Sequence, residues 1–232
     1  MTSPLLSVAL FHLGPAPITA GVVTTWAIMA ALVVCAALVA RRLSLVPSPA
    51  QAFCELIVAT VDSQIRDTMR VEPGPYRAFI GTLFLFIFVS NWSSLVPGVV
   101  PPTAHLETDA ALALLVFLAI VWFGVRAGGL RGYLATFASP SPIMIPLNFV
   151  ESLTRTFSLL VRLFGNVMSG VFVVGIVLSL AGLLVPIPLM ALDLLTGAVQ
   201  AYIFVVLAMV FIAGAIDPES SAPADSSQRT PP

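Results

Sequence analysis

The sequence predicts an all-α polytopic membrane protein with five transmembrane helices and one amphipathic helix on the membrane surface. Of its 232 residues, 59% are hydrophobic and only 9% are charged, whereas soluble domains carry about 25% charged residues. Several apolar stretches reach the roughly 20 residues that a helix needs to cross a bilayer. The alternating pattern of a membrane β-barrel is absent, so helices are the predicted spanning elements.

Residues 1–138 are predicted to form an N-terminal membrane region. Within it, residues 51–69 place apolar side chains at helical spacing with acidic and basic residues between them. This pattern predicts an amphipathic helix that lies on the membrane and does not cross it. The predicted spans of this region are 18–40, 76–96 and 109–125.

Residues 139–216 are predicted to form a hairpin of two unusually long helices. Proline-free sequence over 147–185 gives a helix of roughly 58 Å, and 189–216 gives roughly 42 Å, at the α-helical rise. Residues 186–188, Pro-Ile-Pro, form the predicted turn. Because the hydrocarbon core is about 30 Å thick, both helices must tilt strongly or project past it. The tail, 217–232, is rich in Ser, Pro and Asp and is predicted to be disordered.

The arginines predict the orientation in the membrane. Seven of them fall on one side of the predicted arrangement, and the loops on the other side have none. By the positive-inside rule the arginine side is cytoplasmic. We therefore expect a bacterial inner (plasma) membrane protein with its N-terminus outside and its C-terminus in the cytoplasm. These arginines are Arg41, Arg42, Arg66, Arg70, Arg77, Arg126 and Arg131.

Arg162 is the only basic residue in the most apolar part of the chain. An arginine at the bilayer centre costs roughly 2.5 to 3.5 kcal/mol on insertion scales, and its guanidinium stays protonated. Ser158, Asn166 and Ser169 share its helix face. An arginine in this setting indicates a functional site facing a partner, a wet cavity or an ion pathway, although Ser158 and Asn166 alone more often hydrogen-bond between helices.

A second polar stripe is predicted on the last helix, where Asp193 and Gln200 share one face. Since the two long helices are antiparallel neighbours, the stripes can meet as an ion route or as a contact between helices. We expect about 25 Å of helix length between Arg162 and Asp193, with Gln200 between them. Asn91, at the end of the second span, is a secondary candidate for the path, with a capping or interface role as the alternative.

Three segments together resemble a known family. Residues 158–170, SLLVRLFGNVMSG, resemble the S-L-x-x-R-L-F-G-N-M-x-x-G signature of subunit a of F-type ATP synthases. Residues 200–207, QAYIFVVL, resemble the second signature of that family, L-Q-A-x-I-F-x-x-L. Residues 91–98 resemble its N-x-x-x-L-x-P-G helix end. The resemblance is tight over about 139–215 and loose before it.

The resemblance assigns roles to single residues. It places the essential arginine of the family at Arg162, the neighbouring asparagine at Asn166 and the glutamine at Gln200. Two positions depart from the family pattern: Val171 stands where the family usually has Glu or His, and Asp193 where it usually has His or Glu. These departures concentrate the outer proton relay on Asp193. They suggest a divergent, alternative-operon branch of the family.

The resemblance implies a stator subunit of the membrane sector of a rotary ATP synthase. Such a subunit forms two half-channels that carry protons to and from the carboxylates of a rotating ring. The implied partners are a ring of c-type hairpin subunits, b-type subunits of the peripheral stalk, the soluble F1 ATPase sector and the lipid bilayer, with no nucleic acid. No cofactor or metal is expected, and no catalytic chemistry on this chain.

The residues by themselves leave an alternative, a secondary transporter that binds an anionic substrate at Arg162. The chain shows neither an inverted repeat nor a pair of interrupted helices, the features typical of such transporters.

Overall fold

The structure is a computed structural model that describes residues 9–13, 16–41, 48–96, 99–138, 144–181 and 185–216. Two short strands precede six α-helices, and single 3-10 turns at Ser93–Leu95 and Pro102–Ala104 lie between the third and fourth helices. The strands are β1 (Ala9–Leu13) and β2 (Ala16–Thr19). The helices are α1 (Ala20–Ala40), α2 (Pro49–Met69), α3 (Gly74–Trp92), α4 (Leu106–Ala138), α5 (Met144–Ala181) and α6 (Pro186–Ile216).

Five helices in the described residues are long and apolar enough to cross a membrane. Their spanning segments are Gly21–Ala40, Gly74–Leu95, Leu106–Gly129, Ile145–Leu180 and Pro186–Ile216. The predicted fold class, an all-α polytopic membrane protein, is therefore confirmed. The predicted tail, 217–232, and the predicted boundary at residue 139 lie outside the described residues.

The described residues begin with a β-hairpin that the sequence did not lead us to predict. β1 and β2 pair antiparallel, with Ala9 opposite Thr19 and Leu13 opposite Ala16. The first span was predicted to start at residue 18, but residues 18 and 19 belong to β2. Pro17 fixes its own backbone angle, and the β-branched Ile18 and Thr19 favour an extended chain. The helix α1 therefore starts two residues later than predicted.

The surface helix α2 has defined ends and a buried face. Ser48 caps its N-terminus by accepting a hydrogen bond from the Gln51 N–H at 3.3 Å, and Pro49 occupies the first turn, where no intrahelical N–H bond is needed. Arg70 ends the helix in the left-handed conformation, with φ of 56°. The buried apolar face of α2 consists of Val61, Ile65 and Met69.

The fourth helix is longer than predicted. We expected 109–125, with Arg126 and the following glycines closing the span. The helix α4 instead begins at Leu106 and continues past Arg126 to a break at Gly129, where φ is 69° and ψ is 166°. A non-glycine residue would be strained at that backbone conformation. Helical structure then resumes as far as Ala138.

The prolines of the long hairpin lie within the first turns of its two helices, α5 and α6. The 38 residues of α5 span roughly 57 Å and the 31 residues of α6 roughly 46 Å. Pro146 lies in the first turn of α5, and Pro186 and Pro188, predicted to form the turn, lie in the first turn of α6. First-turn N–H groups have no partner four residues back, so proline is tolerated there. The connection between the helices therefore precedes Pro186.

The buried core lies between α3, α4, α5 and α6, and the apolar face of α2 contributes to it. The first span, in α1, is only 6% buried within the chain, so α1 lies at the edge of the bundle. The helices α4 and α6 begin, and α3 and α5 end, at one end of the bundle, which we call the Pro186 end. The buried core side chains at 1% exposure or less are Ile65, Ile80, Ile87, Ala113, Val116, Leu159, Leu163, Ala201, Phe204, Ala208, Met209 and Ile212.

Candidate ion-translocation site

The polar stripe of α5 lies on the outer surface of the hairpin. Leu159, Leu163 and Val167 anchor the opposite face of the helix in the core. This packing leaves Ser158, Arg162 and Ser169 exposed and Asn166 half-buried. Within the described residues, the guanidinium of Arg162 has no hydrogen bond or ion pair. The predicted shared face is therefore present, and its charge points away from the chain.

The stripe is framed by apolar side chains. On α5 and α6 the exposed hydrophobic residues near it include Phe157, Val161, Val173, Leu195 and Val199. A permanent charge inside such a surface is stable in a membrane only if a partner or water meets it. This face of the hairpin therefore presents a charge that the described residues do not neutralise.

The carboxyl group of Asp193 packs against the backbone of α5 at Gly170. A Cβ atom placed on Gly170 would overlap the Asp193 carboxyl oxygen, so only glycine leaves room for this contact. Asp193 itself is half-buried. Sequence reasoning identified Asp193 but not the positioning role of Gly170, although the glycine is the last residue of the 158–170 signature.

This contact corrects the expected separation between Arg162 and Asp193. Because Asp193 lies beside Gly170, it is eight residues from the level of Arg162, about 12 Å of helix and not the expected 25 Å. The estimate assumed a turn centred on 186–188, whereas α6 already begins at Pro186. Gln200, seven residues further along α6, comes about level with Arg162 and not between the two.

Asp193 and Gly170 form part of the wall of two cavities. One, of about 180 Å³, extends to Val171 and the 99–101 segment. The other, of about 220 Å³, extends along α5 to Asn166 and Ser169. Each is large enough for several water molecules, since one water needs only about 10–15 Å³ by this measure. The Asp193 carboxyl group therefore lies between a cavity towards the Pro186 end and a cavity towards the polar stripe.

Two amide groups at this site are ready to bind water. Gln200 is buried, and its Nε2 atom has no hydrogen-bond partner in the described residues. The Nδ2 atom of Asn166 is likewise buried and unpaired there. Buried N–H donors are rarely left unsatisfied, so ordered water is the expected partner of both. Asn166 lines the second of the two cavities, whereas Gln200 lines neither of them.

Asn91 occupies a different position, as a bridge between three elements. Its Nδ2 donates to the Gly197 carbonyl oxygen at 2.8 Å, and its Oδ1 accepts from the Thr103 hydroxyl at 2.7 Å. A Cβ atom on Gly197 would lie only 3.1 Å from the Asn91 Cβ. Both polar atoms of the Asn91 side chain are thus used in joining α3, the 102–104 turn and α6. This geometry matches the interface alternative for Asn91 more closely than a place on the path.

The other end of the hairpin carries a separate charged group. Arg155 forms an ion pair with Glu151 one turn earlier on α5. Its guanidinium carbon also lies 5.5 Å from the centre of the Phe211 ring on α6. The charge of Arg155 is therefore paired within the chain, in contrast to that of Arg162 on the same helix.

Five spanning helices and a long hairpin that carries Arg162, Asp193 and two adjoining cavities define a polytopic membrane protein with a polar site in its spanning region. A protein-family profile described as ATP synthase A chain matches residues 22–213. The chain therefore belongs to the family of ATP synthase subunit a, the stator subunit in the membrane sector of F-type ATP synthases.

Curated relatives agree with this family over nearly their whole length. ATP synthase subunit a 2 of a Bradyrhizobium species is 57% identical over 215 residues, covering 93% of this chain and 96% of the relative. ATP synthase subunit a 2 of Pelobacter propionicus is 48% identical, covering 90% and 91%. ATP synthase subunit a 1 of Chlorobaculum parvum is 47% identical, covering 90% and 93%. Nothing in these comparisons supports the secondary-transporter alternative.

Proposed function

We propose that this chain forms two half-channels for protons and that Arg162 separates them. The observation that carries the proposal is the unpaired Arg162 guanidinium on an exposed, otherwise apolar face of the hairpin. A ring of c-type subunits, each with a carboxylate at membrane depth, is the partner that such a charge fits. The Asp193 carboxyl group and its two cavities form the half-channel at the Pro186 end.

Arg162 acts as an electrostatic gate and does not carry protons. A ring carboxyl group that reaches Arg162 meets a fixed positive charge, which lowers its pKa and favours loss of its proton to one half-channel. The same charge opposes a proton or hydronium ion crossing directly between the half-channels. Lysine is a poor replacement, because its ammonium is a more compact and more strongly hydrated charge.

The remaining polar residues hold the water that conducts protons. Asn166 and Gln200, with their unpaired amide nitrogens, flank Arg162 on the two helices. Ser158 and Ser169 extend the stripe along α5 towards either end. Asp193 takes up a proton from the cavity at the Pro186 end and releases it towards Asn166 and the ring.

We further propose the orientation and the assembly. The arginines support an orientation with the Pro186 end outside and the C-terminus in the cytoplasm, in the bacterial inner membrane. The chain would assemble with the c-type ring, b-type stalk subunits and the F1 sector, which carries the ATP chemistry. The departure at Val171 and relatives numbered as subunit a 1 or a 2 support an alternative-operon branch.

The decisive experiment replaces Arg162 in the assembled complex. Arg162→Ala and Arg162→Gln are expected to abolish ATP-driven proton pumping, and Arg162→Lys to impair it severely, while ring and F1 subunits still co-purify. Arg155→Ala is the matched control, since this arginine lies on the same helix and is paired within the chain. Pumping by Arg162→Ala vesicles at the rate of the control would exclude the gate. Purification of the chain without ring subunits would contradict the assembly.

A further inference from the structure

Asp109 is a completely buried carboxyl group to which the proposed half-channels assign no role. It lies in the first turn of α4 with a side-chain exposure of 0%. Neither of its carboxyl oxygens has a hydrogen-bond partner among the described residues. The sequence reading placed Asp109 at the start of a span but did not recognise its burial.

Among the described residues, no side chain of the elements packed against α4 forms a hydrogen bond with Asp109. Asp109 shares its helix face with the buried Leu112, Ala113 and Val116, and α4 packs against α5, α6 and the 102–104 turn. The Thr103 hydroxyl of that turn donates to Asn91 and not to Asp109. The fixed network of this region therefore leaves the carboxyl group free to bind a proton or water.

No cation neutralises Asp109 from the elements around it. At the Pro186 end, the titratable side chains in the described residues of these elements are His105 and Glu107, next to Asp109 in sequence, and Asp193 on α6. The halves of α1, α3 and α5 at this end carry none. An isolated carboxylate buried without a cation is strongly unfavourable, so Asp109 holds a proton when it is not solvated.

The level of Asp109 in the bundle lies between the Pro186 end and Asp193. Since α4 and α6 both begin at the Pro186 end, Asp109 is about 5 Å of helix rise from that end and Asp193 about 10 Å. The 99–101 segment, which lines the cavity shared with Asp193, continues directly into the 102–104 turn and α4. The bridge from Thr103 through Asn91 to Gly197 ties that turn to α6 one helical turn from Asp193.

We propose that Asp109 is a second proton-carrying carboxyl group of the half-channel at the Pro186 end, acting before Asp193. This inference rests on the proposed half-channel function. Asp109 transfers its carboxyl proton through intervening water to ionised Asp193 and becomes a carboxylate. It then regains a proton from water at the Pro186 end. One proton moves inward per cycle, and Asp109 returns to its starting state.

The test is proton-driven ATP synthesis by the whole complex in phospholipid vesicles across a pH series. Asp109→Asn keeps the shape and removes the titration, and should slow synthesis about tenfold or more. Asp109→Glu should keep a larger share of the rate than Asp109→Asn. Glu107→Gln, two residues away on the exposed side of the same turn, is the control and should match the wild type. A wild-type rate and pH profile for Asp109→Asn would show a structural carboxyl group and overturn the inference.

Two further measurements keep the outcome clear. If Asp109→Asn does not assemble, pH-dependent modification of the wild-type complex by a water-soluble carbodiimide decides instead, because this reagent reacts with a protonated carboxyl group that it can reach from water. Modification of Asp109 supports the inference, and its absence at every pH overturns it.

The Arg162→Ala complex is measured beside these samples. Normal pumping there refutes the gate, whereas an inactive Arg162→Ala beside a normal Asp109→Asn refutes only the role of Asp109.

Discussion

Arg162 and Asp193 illustrate how opposite charges on one hairpin serve different purposes. Arg162 lies exposed on an apolar face, whereas Asp193 is half-buried against Gly170 between two cavities. About 12 Å of helix separates their levels, so neither neutralises the other. One charge is thereby available to a partner and the other to water.

Asp193→Asn should slow proton-driven ATP synthesis about tenfold or more, because the amide keeps the shape but no longer exchanges a proton in this way. Asp193→Glu should keep much of the rate. Since Val171 and Asp193 line the same cavity, Asp193→Asn combined with Val171→Glu should recover part of it. The measurement is proton flux and ATP synthesis in vesicles across a pH series, with Glu151→Gln as the control. Equal rates for Asp193→Asn and wild type at every pH would leave water alone as the carrier.

Gly170→Ala should also slow proton flux, although it changes no polar group. The added methyl group would overlap the Asp193 carboxyl group and force that side chain or α6 to move. Gly214→Ala is the matched control, because a Cβ atom on this other hairpin glycine meets nothing within 4 Å. Flux in the two variants is compared at equal amounts of assembled complex. A Gly170→Ala complex as active as Gly214→Ala would mean that the position of Asp193 is unimportant.

At the scale of elements, the surface helix α2 is fixed to the bundle by polar contacts at two places. Arg77 of α3 donates to both carboxyl oxygens of Asp62, from Nε at 2.6 Å and from Nη2 at 2.5 Å. Gln64 donates to the Tyr202 hydroxyl of α6 at 3.0 Å. The first contact joins α2 to α3, and the second joins it to α6, the helix that carries Asp193 and Gln200. The surface helix thus supports the hairpin from the end opposite to Pro186.

The Asp62–Arg77 pair should make stability depend on pH. The hydrogen bonds from Arg77 hold the pKa of the Asp62 carboxyl below its ordinary value. Its stabilising contribution is therefore fully present above the unfolded pKa, near 3.9, and is lost as pH falls through the lower folded value. Asp62→Asn should lower the Tm of the detergent-solubilised protein by a few degrees at pH 7, and by less as pH falls below about 4.

Asp67→Asn is the control for that measurement, since Asp67 is exposed on the same helix and bonds only to Ser63. It should change the Tm little at any pH. An Asp62→Asn Tm equal to that of the wild type at pH 7 would show that the pair contributes nothing, as many surface ion pairs do.

At the scale of the whole molecule, the five spans place charge asymmetrically. The described arginines outside the long hairpin lie near or beyond those ends of the spanning segments that are opposite to the Pro186 end, the pattern that the positive-inside rule associates with a cytoplasmic side. Asp109 and Asp193 lie at the Pro186 end. The segments at this end that connect α3 to α4 and α5 to α6 contain no arginine. This asymmetry supports the proposal that the half-channel at the Pro186 end is the outer one.

Single cysteines at Val100 and Glu72, in a background without Cys35 and Cys54, should label from opposite sides of the membrane with an impermeant thiol reagent. Val100 is 45% exposed in the 99–101 segment, and Glu72 is exposed between α2 and α3. Thr103 is unsuitable for this purpose because it is fully buried. Labelling of both cysteines from the same side would contradict the five-crossing arrangement.

The sequence by itself determined the class of fold and the residues with unusual chemistry. A long apolar stretch must form a helix in a bilayer, because only a helix satisfies all backbone hydrogen bonds within a single segment. Arg162 stands out in the sequence because a charge among apolar residues is costly. Helical spacing then groups Arg162 with Asn166, and Asp193 with Gln200, without any knowledge of packing.

Only the tertiary structure decided how the two long helices are aligned and which polar groups are buried. The register between two antiparallel helices cannot be read from their sequence. We therefore expected the connection at 186–188, and the expected separation of Arg162 and Asp193 was about 13 Å too long. The contact of Asp193 with Gly170 fixes that register. The bridge at Asn91 and the burial of Asp109 likewise depend on side chains from other helices. Local sequence does not encode such contacts, because packing between distant segments creates them.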